Sequence, residues 1–285
     1  MKYQLKTYLK RLMLTAFACL GYLLFLHRKK ERGIRIIFYH SINPAREHEV
    51  NVAPGYFYLQ MHALQKKHRF YPLQALPEMA DREGIILTFD DGYRDNYLYA
   101  FPSLSRRNIP FAVFLTASYI GTSRLLPHDR GSDPEVNRLL TWEEVKEMAD
   151  KGVEFGSHGL NHLRFSRLSR EEIKREISLS KEIIEKHLGT PVKYFAYPYG
   201  KNEDIPPETE KILRHNGYLM AFTAQYGVVS RKDFPFSIKR IGVEASDTLF
   251  TLEAKINGAL DLLALKESYA GRILRGLLNR ILGVL

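Results

Sequence analysis

Cysteine is almost missing from this chain of 285 residues: Cys19 is its single thiol, and it lies in an apolar N-terminal stretch. A disulfide framework and a cysteine-based metal site are therefore both excluded within one chain. Long linkers, internal repeats and low-complexity tracts are absent too, so the middle of the sequence reads as one large domain. The formal net charge of +10 is not accompanied by zinc-finger spacing, a basic zipper or a stacked-aromatic ribonucleoprotein motif. Nucleic acid is set aside on that ground. Many of the basic residues cluster at the two ends, which makes anionic lipid the simpler partner.

What is present is an ordinary globular composition, 45% hydrophobic and 26% charged, in a chain long enough to bury a substantial core. Between about residues 33 and 260, β-rich runs alternate with segments of helical period. The strand candidates are Ile34 to Tyr39, Ile85 to Phe89, Phe111 to Thr116, Val153 to Gly156, Val192 to Ala196 and Leu219 to Thr223. The helix candidates are Gly55 to His68, Tyr93 to Arg107, Thr141 to Lys151, Ser169 to Leu188 and Pro207 to Asn216. This alternation predicts an α/β fold with a parallel sheet and crossover helices, and leaves open whether the sheet closes into a barrel or stays open and doubly wound. Thr141 to Glu144 and Ser169 to Glu172 have the form of capping boxes, and Gly189 is placed to end the second of those helices.

Two short segments carry the chemistry. Ile85-Ile86-Leu87-Thr88-Phe89-Asp90-Asp91-Gly92 delivers adjacent carboxylates at the end of a strand candidate, where Gly92 can turn the chain sharply. There one acid can hold a cation while the other stays free for proton transfer. Asp-Asp-Gly also occurs in ordinary turns, where the side chains cap backbone amides. The second segment, Ser157-His158-Gly159-Leu160-Asn161-His162, adds two histidines four residues apart that can face one ion. Imidazoles plus one carboxylate make a three-ligand set that leaves a position for water. Asp90, Asp91, His158, Pro198 and Tyr199 all fall just after strand candidates, which in a barrel is the face where active sites form. The longest irregular stretch, Gly121 to Pro134, is expected to supply a loop of the substrate groove.

These residues resemble the metal-dependent polysaccharide deacetylases, carbohydrate esterase family 4. Thr88-Phe89-Asp90-Asp91-Gly92 is similar to that family's first motif, His158-x-x-x-His162 to its second, and Phe195-Ala196-Tyr197-Pro198-Tyr199-Gly200 to its third, over roughly residues 34 to 250. The resemblance implies a distorted, incomplete (β/α) barrel. It implies Asp90 as general base, Asp91, His158 and His162 as ligands of a divalent ion (zinc, or cobalt or nickel), and the backbone N–H of Tyr199 as an oxyanion donor. Two features depart from the pattern. Ala196 stands where the third motif has the arginine that orients the base, and Arg240 is the substitute available. No histidine follows His215 to serve as the late general acid, whereas His40 ends the first strand candidate. A circular permutation, with that first strand in the place of the family's last, brings His40 to the same pocket. The expected reaction is removal of N-acetyl groups from an amino-sugar glycan or a lipid-linked saccharide, releasing acetate. The alternatives are an O-acetyl glycan esterase of the same fold and a catalytically silent glycan-binding protein. Tyr197, Tyr199 and Trp142 are candidates for stacking on sugar rings, or are simply core filling.

The ends read differently. Leu12 to Leu26 is an uncharged run flanked by Lys2, Lys6, Lys10 and Arg11 before it and Arg28, Lys29, Lys30 and Arg32 after it. Residues 1–32 are therefore expected to form a membrane anchor or uncleaved signal segment, with the catalytic domain over residues 33–260 on the extracytoplasmic side. Over residues 261–285 a basic amphipathic helix is expected, lying in a lipid interface or docked on the domain's own core.

Overall fold

The computed structural model describes residues 2–25, 33–45, 47–79, 81–233 and 235–261. Seven strands form one parallel sheet among them: β1 (Ile34–Tyr39), β2 (Gly84–Phe89), β3 (Phe111–Leu115), β4 (Glu154–Ser157), β5 (Tyr194–Ala196), β6 (Met220–Phe222) and β7 (Ile241–Gly242), in the order β6-β5-β4-β3-β2-β1-β7. The helices are α1 (Lys2–Phe25), α2 (Pro54–Lys67), α3 (Leu76–Met79), α4 (Phe101–Arg106), α5 (Trp142–Asp150), α6 (Arg170–Leu188), α7 (Thr209–His215) and α8 (Leu249–Asn257).

The strands are continuous apolar runs because both faces of a parallel sheet are covered. Alternate residues separate into two layers. Ile34, Ile36, Ile86, Ala112, Phe114, Ala196, Phe222 and Ile238 pack together on the inner side, while Ile37, Leu87, Val113, Phe155 and Phe195 pack outward against helix residues such as Phe57, Val145, Ile173 and Ile177. The two sheet edges approach one another. Ile238 bridges Phe222 of β6, and three residues later Ile241 pairs with Ile37 of β1, so a single short segment spans the gap of an incomplete (β/α) barrel. β1 lies between β2 and β7, beside the strand that ends in the carboxylates.

Local signals account for the element ends. Thr141 and Ser169 both form reciprocal capping boxes, with Glu144 and Glu172, and Gly189 takes the left-handed conformation that ends α6. The helix predicted over Tyr93 to Arg107 is interrupted: between α-helical Arg94 and Asp95 and the α-helix Phe101–Arg106, residues Asn96–Ala100 form a π turn, with the Phe101 N–H bonded to the Asn96 carbonyl. Pro102 explains the break, since it lacks an N–H and crowds the preceding turn.

The N-terminal helix runs well beyond the apolar stretch. Lysines, tyrosines and threonines share its length, and no helix among the described residues is long and apolar enough to cross a membrane. Of the membrane anchor or uncleaved signal segment expected over residues 1–32, residues 1 and 26–32 lie outside the described residues. Leu14, Ala18 and Gly21 of α1 are buried, and Ala18 packs with Ala254, Ala259 and Leu260. A Cβ on Gly21 would stand 1.9 Å from the Ala259 carbonyl oxygen, so glycine permits that approach. The amphipathic helix expected over residues 261–285 lies, except for Asp261, outside the described residues.

Candidate metal centre and active site

At the carboxyl end of the sheet, β2 delivers Asp90 and Asp91 and β4 delivers His158. The Asp90 N–H donates to the Tyr39 carbonyl and the His158 N–H to the Leu115 carbonyl, which extends the sheet's bonding into the site. Beyond these points the backbone is bent. Four described residues other than glycine have positive φ, and three are site candidates: Asp91 (71°), His162 (56°) and Tyr199 (63°). Such backbone costs on the order of 1–3 kcal/mol per residue and persists where the surroundings over-determine it.

Those surroundings are identifiable for the histidine loop. Glu176, buried on α6, accepts hydrogen bonds from the Leu160 N–H at 3.0 Å, the Asn161 N–H at 2.8 Å and the Asn161 side-chain amide at 2.7 Å. The carbonyls of Gly159 and Leu160 accept from Ala117 and Ser118 on the other side. The loop is thus held between α6 and the end of β3 before it presents its imidazoles.

Asp91, His158 and His162 converge, with one ligand atom from each lying within 4.8 Å of the others. His162 Nε2 is 3.2 Å and His158 Nε2 3.7 Å from Asp91 Oδ1. The His158 Nδ1 lies 2.8 Å from the Ala196 carbonyl, so Nδ1 carries the proton and Nε2 offers its lone pair inward. Both Asp91 oxygens are buried without a hydrogen-bond partner. A carboxylate left so is costly unless a cation satisfies it, and a carboxylate with two imidazoles suits a zinc-like divalent ion with an open position. Burial pushes the His162 imidazole down to about 3 despite Asp91, which keeps it neutral, as a ligand must be.

Asp90 belongs to a separate pair. Arg240, fully buried, grips it bidentately, with Nη1 to Oδ1 at 2.7 Å and Nη2 to Oδ2 at 2.8 Å. The same guanidinium donates to Thr88 Oγ1 and the Thr223 carbonyl and lies over the Phe38 and Phe114 rings. Burial opposes ionisation of Asp90, but Arg240 and then His158 overcome it, so the carboxyl titrates below its usual value. Arg240 thus reaches Asp90 from the segment that closes the barrel.

A cavity of about 240 Å³ opens over these groups, lined by Phe38, His40, His48, Val50, Asp90, Asp91, His128, His158, His162, Tyr197, Tyr199 and Ala224. His40 is on its wall, its carbonyl held by the Asn96 side-chain amide at 2.8 Å. Burial lowers its pKa against the pull of Asp91 and Asp90. Tyr199 is 41% exposed, its ring between His162 (centroids 5.1 Å apart) and the Arg164 guanidinium at 4.0 Å. Tyr197 is a buried wall residue whose hydroxyl donates to the Phe236 carbonyl. Trp142 is not part of the cavity lining; it stacks on His187, with ring centroids 4.0 Å apart.

Two histidines of the cavity were not singled out from the sequence. His128 comes from the Gly121 to Pro134 loop, with Nε2 2.9 Å from the Tyr93 hydroxyl and 4.0 Å from Asp91 Oδ2. Tyr93 in turn donates to Asp129 at 2.6 Å. His48 comes from the turn after β1. The available signal was the length of the first loop, which marked a groove without marking a residue.

Known proteins are similar to this chain. YxkH of Bacillus subtilis, which bears a polysaccharide deacetylase name, is 29% identical over 159 residues, covering 56% of this chain and 51% of its own. The poly-beta-1,6-N-acetyl-D-glucosamine N-deacetylase of Staphylococcus epidermidis is 27% identical over 186 residues, covering 62% and 60%. This chain thus spans about half of the first relative and somewhat more of the second. The solved structure of IcaB from Ammonifex degensii superposes with a TM-score of 0.67 at 27% identity, covering 80% of this chain and 98% of that one. The polysaccharide deacetylase family model matches residues 78–221, half of the sequence and the segment holding Asp90, Asp91, His158, His162 and Tyr199, and the chain belongs to that family.

Proposed function

We propose that the protein is a metal-dependent N-deacetylase that hydrolyses acetamido groups of an amino-sugar glycan, with poly-β-1,6-N-acetylglucosamine the first polymer to test because a relative is named for it. The convergence of Asp91, His158 and His162 beside an Asp90 held separately by Arg240 carries this proposal. Those three residues would hold the ion, with zinc the first choice and cobalt or nickel compatible with the donors. Bound there, the ion supplies a Lewis acid and lowers the pKa of water.

The chain's own groups supply the rest. Asp90, kept ionised and oriented by Arg240, removes a proton from the attacking water. Oxygen adds to the acetyl carbon, and the Tyr199 N–H donates to the carbonyl oxygen as it gains charge; one such donor is typically worth about 2.7–4 kcal/mol. His40 hands a proton to the departing nitrogen as the C–N bond breaks, leaving acetate and a free amine.

Purified full-length protein incubated with N-acetylated glucosamine oligomers should release acetate and expose equal amounts of amine. Chelator should stop the reaction and added zinc restore it. Asp91→Ala should lose stoichiometric metal, whereas His40→Ala should keep the metal and lose turnover. Turnover indifferent to chelator, or none on any N-acetylated glycan, would refute the proposal.

A further inference from the structure

The docked face of α1 carries Leu14 among small or polar side chains, whereas its free face is lined by large apolar ones, the reverse of a helix on a water-exposed surface. At 3.6 residues per turn, Leu14, Ala18 and Gly21 lie on the buried side. Leu5, Leu9, Leu12, Phe17, Leu20 and Leu23 lie on an opposite arc of about half the circumference, and are 38–66% exposed. Lys2 and Lys6 are the charged residues within that arc, and Lys6 pairs with Glu49 at its edge.

We infer that this free face is a lipid-docking surface on which α1 lies in the plane of an anionic bilayer. Three observations favour lipid. No acidic residue occurs among the first 30, which carry Lys2, Lys6, Lys10, Arg11, Arg28, Lys29 and Lys30, so in the sequence the apolar residues lie between two basic clusters. The arc is too wide for a second copy of the helix to cover, since a two-helix seam is a narrow stripe. The opposite face is tied to the domain: Tyr3 donates to the His48 carbonyl at 2.7 Å, Lys10 pairs with Glu49 and Glu244, and Arg11 donates to the Ala245 carbonyl. A helix bound along its flank to a folded domain cannot thread a bilayer without it. His48 lines the catalytic cavity, so a lipid-bound α1 brings that cavity to the membrane surface. The inference is independent of the reaction proposed above.

Full-length protein should float with vesicles of phosphatidylcholine and phosphatidylglycerol more than with phosphatidylcholine alone. Leu9→Glu, Leu12→Glu and Leu20→Glu together should reduce flotation more than about tenfold, with the melting temperature unchanged because these side chains are exposed. Cys19, the single and exposed thiol, takes a fluorescent label without other changes. Lipids brominated close to the headgroups should quench it best, as expected for a helix about 5–10 Å deep. Quenching strongest at the bilayer centre would show a spanning helix and overturn the inference. So would full flotation of the triple variant, equal flotation with both vesicle types, or flotation with neither.

Discussion

Asp90 and Arg240 are each expensive to bury alone and are stable together. Arg240→Met should cost about 3–5 kcal/mol, because it strands an ionised carboxylate in the barrel interior, and thermal unfolding measures it. Arg240→Lys keeps the charge but loses the fork that holds both Asp90 oxygens. It should lower kcat/KM by about 10–100-fold with the metal content of the wild type, a combination that separates orientation of the base from assembly of the ion site. The two residues differ in how visible they were. Asp90, Asp91, His158 and His162 were legible because each sits in a contiguous motif beside an apolar strand. Arg240 could be named only as the substitute for the arginine absent at Ala196, 150 residues from its partner in sequence. His128 and His48 left no trace, because an isolated histidine in an irregular segment has no period to place it and only the folded loops bring it to the cavity.

Elements set the site as much as residues do, and α6 is the clearest case. Its Glu176 carboxylate takes three donors of the loop between His158 and His162. Glu176→Ala should leave those donors unpaired, lower stability by about 1–3 kcal/mol and weaken metal binding by about 10–100-fold. Competition with a chelator of known affinity measures the second quantity, and unchanged affinity would show that the loop keeps its shape unaided. Gly156 of β4 is a packing counterpart. A Cβ there would lie 2.5 Å from the Phe114 ring and 2.9 Å from the Tyr194 carbonyl, so Gly156→Ala should destabilise by about 1–3 kcal/mol. Helices α5 and α6, with glutamates completing their capping boxes, and the six longer strands were legible because such caps and apolar runs are local signals. β7 and α8 were not foreseen. β7 is two residues long, and its existence depends on β1 and the closing segment rather than on its own composition. The Pro102 interruption was written in the sequence, yet the apolar period across it masked the break.

On the scale of the whole molecule, the buried tyrosines and one buried ion pair set the response to alkali. Burial raises the Tyr39, Tyr197 and Tyr218 hydroxyls above their ordinary value, and pushes Tyr194 up to about 12. Lys255 is also raised: burial alone would lower it, but Asp247, 2.7 Å away, outweighs burial. In the unfolded chain these groups lose their protons near pH 10, while the folded state keeps them. Above that pH the native state therefore binds more protons than the unfolded one, and stability falls as pH rises, by about 1.4 kcal/mol per unit for each group until its folded pKa is passed. The melting temperature should accordingly change little up to about pH 9 and drop steeply between about 10 and 12. Tyr197→Phe with Tyr218→Phe should flatten that drop even if it lowers the melting temperature at neutral pH, where the Tyr197 hydroxyl's bond to Phe236 is lost. Phenolate absorbance tests the cause directly: the buried tyrosines should ionise only as the fold is lost. Simultaneous ionisation of all 17 in a chain that remains folded would remove the basis for an alkaline transition set by burial.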